Sequence, residues 1–146
     1  MASSLSEQLL APERRFEWID VFEEVIAHEV AGKRGLQGTS LRVAYRTLRA
    51  GRPDVVRRVL YRCWPEWVRV FASRCDDVPT GGLEAAFALH QDDLAEGMLV
   101  VVDHYAAKTT TPVVERLYRS LRGHARDHVV CALPKVARAI EQRRGE

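Results

Sequence analysis

At 146 residues and 16.6 kDa the chain is long enough to bury the core of one domain without metal or disulfide staples. Apolar types make up 47% and charged types 29%, which excludes disordered, collagen-like and coiled-coil classes. The net charge of +2 is too small for a chain that binds polyanions by charge alone, although its distribution is uneven. Charged residues interrupt every apolar stretch, so no bilayer span is expected. The N-terminus lacks the basic region and apolar segment of a signal peptide. Cys63, Cys75 and Cys131 are an odd set without a CxxC, which favours neither a disulfide framework nor a zinc knot. The expectation is a cytoplasmic single helical domain over 1–146, with no cofactor.

Residues 1–32 hold seven acids (Glu7, Glu13, Glu17, Asp20, Glu23, Glu24, Glu29) against Arg14 and Arg15, a net of −5. Residues 33–62 hold nine basic residues against Asp54, a net of +8. The adjacent blocks suit internal pairing or a solvated face. The basic block also suits phosphate.

Residues 1–12 read as a lead-in ending at Pro12. Phe16, Ile19, Phe22, Val25, Ile26 and Val30 recur at helical spacing and predict a long helix over about 13–31. Gly32, Gly35 and Gly38 break it. Thr39 or Ser40 suits the cap of a second helix, which carries Leu41, Ala44, Tyr45 and Leu48 and stops at Gly51. Pro53 opens a third, with Val55, Val56, Val59, Leu60 and Cys63 inward, and Pro65 opens a fourth with Trp67, Val68 and Phe71. Asp76–Gly82 is turn chemistry near the midpoint. A second long helix is expected over about 84–106, then one from Pro112 to Gly123, a segment near 125–133, and a last helix opened by Pro134. No segment alternates with period two, so the fold class is all-α.

The halves resemble each other. AYRTLRAG (44–51) matches RLYRSLRG (116–123), and WPEWVRVF (64–71) matches LPKVARAI (133–140). Each long helix closes on small residues and a lysine, Lys33 or Lys108. The expected architecture is a bundle of about eight helices in two tandem repeats, about 13–75 and 84–143. Each repeat has one long and three short helices, and the two are related by a pseudo-two-fold axis and joined by linker 76–82.

Site chemistry is sparse. His124 and His128, four apart, share a helix side and suit one metal if Asp103 or His104 completes the site. Two such histidines also suit a solvated face. The VVCAL context of Cys131 reads as buried packing, and no nucleophile, Walker or dinucleotide motif occurs, so no enzyme is expected. Arg42, Arg46 and Arg49 share one helix side, Arg57, Arg58 and Arg62 follow, and Arg119 and Arg122 recur in the second half. Guanidinium forks suit anions, including nucleic acid. They also suit the acids of their own unit: Glu23, Glu24 and Glu29 in the first half, and Asp92, Asp93, Glu96 and Asp103 in the second. Trp64 and Trp67 face one way and suit the core, or alternatively an exposed anchor. Small residues such as Ala27, Ala31, Ala44, Ala106 and Ala107 permit close helix approach, and a groove between helices would hold an acyl chain or a partner helix.

The pieces E-x-A-G-K-x-G (29–35), the Tyr-then-Leu helix ending at Gly, the x-Pro-Glu-aromatic turn and the C-terminal L-R-G…H-V…x-P segment resemble a family of small uncharacterised actinobacterial proteins, over about 20–143. A leucine precedes the proline in that pattern where Trp64 stands here. The resemblance implies a bacterial helical domain and brings no activity. The leading expectation is a non-enzymatic scaffold acting through self-association or a protein partner. The rivals are an anion or nucleic-acid binder using the arginine face of 42–62, and a carrier of a small apolar ligand.

Overall fold

The computed structural model describes residues 3–144. These form seven α-helices and one 3-10 turn. In chain order they are α1 (Leu5–Leu10), the turn Pro12–Arg14, α2 (Arg15–Gly32), α3 (Gly35–Gly51), α4 (Val55–Cys75), α5 (Leu83–Leu89), α6 (Gln91–Ala106) and α7 (Pro112–Arg143). α1 and α2 lie on α4, α5 and α6 lie on α7, and α4 also packs on α6 and α2 on α7.

Seven helices stand where about eight were expected: three apparent breaks are continuous, while one expected helix is divided and α1 is added. Pro65 lies inside α4 and Pro134 inside α7. Each proline removes one helical N–H, at a cost of about 3 kcal/mol in an isolated helix. Buried neighbours outweigh that cost: Cys63, Trp64, Trp67 and Val68 around the first, Leu133, Val136 and Ala137 around the second. Gly123 ends nothing either. It sits inside α7, a 32-residue rod about 48 Å long. The second half therefore holds one short helix, one of 16 residues and this rod, rather than one long and three short helices. The segment expected as one helix over 84–106 is divided at His90 into α5 and α6.

The supposed lead-in is a structured element. Ser4 Oγ accepts the Glu7 N–H, and Asp76 accepts from Leu5 N through its carbonyl and from Ser6 N through its carboxylate. Leu5 and Leu9 are fully buried. A helix leaves its last carbonyls unpaired, and here two indoles meet them. Trp18 Nε1 donates to the Gln8 carbonyl at 3.3 Å, and Trp64 Nε1 to the Leu9 carbonyl at 2.9 Å.

The segment after α4 is likewise pinned. Glu141 of α7 accepts from Gly81 N and Leu83 N at the start of α5. Arg144, 6% exposed, donates to Glu141, to Gln8 Oε1 and to the Val78 carbonyl. One buried guanidinium thus ties α1, the 76–82 segment and the end of α7.

The core centres on Phe22, edge-on to Trp64 at 4.9 Å and tilted against Trp67 and Phe71. Phe71 continues to Phe87 at 5.2 Å. α3 contributes nothing to this cluster. Of its side chains only Ala44 is a buried hydrophobic, so α3 is a peripheral helix laid on α2, α4 and α7.

Gly35 opens α3 at φ +78°, a region that costs a non-glycine residue roughly 1–2 kcal/mol. Gly123 is helical with open space around it. Gly123→Ala should therefore raise stability by about 0.5–1 kcal/mol, and Gly35→Ala should lower it by about 1 kcal/mol, in urea unfolding.

Candidate functional site

Three features lie outside the core: the arginine face, a cleft between α3 and α7, and a groove between α4 and α6.

The arginines divide between two helices. On α3, Arg42 donates to the Lys33 carbonyl and to Thr39. Arg49 donates to Tyr45 Oη and lies over its ring, which holds its pKa above the ordinary value. Arg46 is exposed and in no ion pair. No ion pair joins these three to Glu23, Glu24 or Glu29, contrary to the pairing expected for the first half. Glu29 instead bridges Lys33 at 3.4 Å and Lys135 of α7. Burial pushes the Glu29 carboxyl up, but hydrogen bonds and charge from Lys135 and Lys33 leave it below its ordinary value. In the second half Arg122 does close on Asp103, at 2.8 and 3.0 Å, and Tyr118 donates to the same carboxylate. Arg119 pairs with Glu115 one turn back on its own helix.

The α4 arginines sit elsewhere. Arg57 reaches Asp20 of α2, Arg58 reaches Asp54 at 3.3 Å, and Arg62 is exposed and unpaired. Arg57 also lies over the Phe16 ring, which stacks on Tyr61 at 6.0 Å. The sequence signal here was the i, i+4 pair Arg57–Tyr61. Its α2 partner Phe16, the first residue of the helical periodicity, is 62% exposed.

His124 and His128 share a cleft of about 230 Å³ with Leu36, Ser40, Ser120 and Leu121. Burial lowers the His128 pKa, with Lys33 and His124 adding to it, against Asp127 and Glu29. Of the two residues expected to complete the site, Asp103 is held by Arg122 and Tyr118, and His104 is exposed and edge-on to Tyr105. Among the described residues no group of three or more His, Cys, Asp or Glu is placed to hold a metal ion. Trp64 and Trp67 are buried, with Trp67 Nε1 donating to the Met98 carbonyl, so neither offers an exposed anchor.

Cys131 is exposed, not buried as its context suggested, because this part of α7 turns that face outward. Cys63 is buried, and burial with the Glu66 charge pushes its thiol up to about 12. Burial also raises Cys75. One thiol should thus react promptly with Ellman's reagent in the native protein, and two more only in denaturant.

The groove between α4 and α6 measures about 460 Å³ and is open to solvent. Arg69, Val70, Ser73 and Arg74 form one wall, and Asp93, Glu96, Gly97 and Val100 the other. A Cβ at Gly97 would sit 2.8 Å from Val70 Cγ1, so glycine is what lets the two helices approach there. Val100 stays 57% exposed. Arg74 and Asp93 close one end at 3.3 Å, while among the described residues Arg69 and Glu96 enter no ion pair, Glu96 acting on Arg122 only at longer range.

With this geometry in view, comparison with known proteins places the chain. Residues 5–144 match a family of unknown function, DUF6918. The chain belongs to that family. The match runs from the first residue of α1 to Arg144 and so takes in the cleft and the groove described above. A restriction to actinobacteria does not come with it. No curated protein matches. No solved structure matches. Among the described residues of this DUF6918 protein, no helix is long and apolar enough to cross a membrane.

Proposed function

We propose that this chain is a non-enzymatic helical scaffold that pairs with a second copy of itself across the α4–α6 groove. The observation that carries this is the layout of the groove: an apolar floor between an unpaired arginine on one wall and an unpaired glutamate on the other. A two-fold interface sets one surface against itself, so that surface must be self-complementary. A 180° rotation about an axis through the groove sets Arg69 against Glu96 of the second copy, twice. The same rotation sets Val70 against Val100 of the second copy, twice, and burying such apolar surface drives association.

Two further proposals belong to this reading. The first is that the chain arose by duplication of a helical unit. In support, α1 and α2 lie on α4 as α5 and α6 lie on α7. The second is a cytoplasmic location, which the three free cysteines fit.

Sedimentation of the full chain across a concentration series tests the pairing. A dimer mass is expected for the native chain and a monomer for Val100→Asp. A native monomer at every concentration would overturn the proposal.

A further inference from the structure

On the outer face of α2 and the first turns of α4, two exposed rings are interleaved with guanidinium groups. Phe16 is 62% exposed and Tyr61 45%, with the rings stacked at 6.0 Å and 22°. Arg57 lies 5.9 Å from the Phe16 centroid and Arg15 5.5 Å from that of Tyr61. Among the described residues Arg15 enters no ion pair and its buried Nε meets no acceptor. Arg58 and Arg62 continue along the adjoining stripe of α4. Two arginines thus lie on the two rings and two more follow on α4, and among the described residues Asp20 and Asp54 are the carboxylates paired to them.

We propose that this cluster binds single-stranded nucleic acid. An unpaired base takes a ring face by displacing the guanidinium group that lies over it, which frees that cation for a phosphate, and further phosphates meet Arg58 and Arg62. The chemistry selects this ligand over its competitors. An acidic peptide would meet the guanidinium charge but has no use for the stacked rings. A proline-rich peptide would use the rings and leave the cations without anions. A duplex keeps its bases stacked internally and offers only phosphate. The site also lies apart from Arg42, Arg46 and Arg49, so the basic block of the sequence divides into a binding half on α4 and an uninvolved half on α3.

Fluorescence anisotropy at low salt, with labelled fifteen-nucleotide oligo(U) and oligo(dT) and a duplex of the same length, tests this. The native chain should bind one or both single strands more tightly than the duplex. Phe16→Ala/Tyr61→Ala should weaken single-strand binding by about tenfold or more. Arg62→Glu should weaken it and flatten its salt dependence, and Arg46→Glu should leave it unchanged. Both rings are exposed, so the double variant should keep its native circular dichroism. Arg62→Glu tests the site independently of them. No binding to either strand at low salt, equal duplex binding, native affinity in the ring variant, or equal losses for Arg62→Glu and Arg46→Glu would each overturn the proposal. Binding of a protein in place of either strand would do so as well.

Discussion

Arg69→Glu and Glu96→Arg should each yield a monomer alone, and a mixture of the two should yield a dimer. In the two-fold arrangement residue 69 of each copy faces residue 96 of the other. Either single exchange therefore sets two like-charged pairs in the interface. Such juxtaposition costs several kcal/mol, which weakens association by about 100-fold or more. When the two variants meet, one copy brings glutamate at both positions and the other arginine at both, so every facing pair is again opposite in sign. The double variant restores the same complementarity within one chain. Both residues line an open groove and form no ion pair among the described residues, Glu96 acting on Arg122 of α7 only at longer range, so the exchanges should leave the fold intact. Light scattering on the four samples gives the result directly. Dimeric single variants, or a mixture that stays monomeric, would remove the groove as the interface.

The sequence carried the helical class and most of the core, because α2 and α4 present their apolar residues at helical spacing. It misread boundaries wherever a local signal competed with packing. Pro65 and Pro134 are sound start signals in a short window, yet the side chains around them are buried deeply enough to carry each helix through. Gly123 fails as a stop because one glycine costs a long helix only about 1 kcal/mol. α1 was illegible for a different reason. Six residues are too few to show a period, and what holds them comes from far along the chain: Asp76 at one end, Trp18 and Trp64 at the other. The surface features were partly legible. The Arg57–Tyr61 spacing was visible, but its stacking on Phe16 depends on how α2 crosses α4. The facing of Arg69 and Glu96 depends on Gly97 seating α6 against Val70. Cross-element placement of this kind leaves no trace in local periodicity.

Trp64→Ala should be among the most damaging single substitutions, costing about 3–5 kcal/mol in urea unfolding. The side chain is fully buried and edge-on to Phe22 at the centre of the core, so truncation leaves a cavity among Phe22, Cys63 and the residues of α1. For a domain of this size, that loss lowers the melting temperature by roughly 10–15 °C. Trp64→Phe separates packing from hydrogen bonding. It keeps an aromatic ring but strips the donor from the Leu9 carbonyl, which sits at the end of α1 with no helical N–H to replace it. That variant should lose about 1 kcal/mol overall, with the loss concentrated in α1 as faster amide exchange over residues 5–10. Trp67→Phe is the matched control. Its acceptor, the Met98 carbonyl, lies inside α6, where the helix supplies its own donor, so exchange in α6 should scarcely change. Equal protection of α1 in both variants would mean that burial of Leu5 and Leu9, rather than the indole, holds that helix in place.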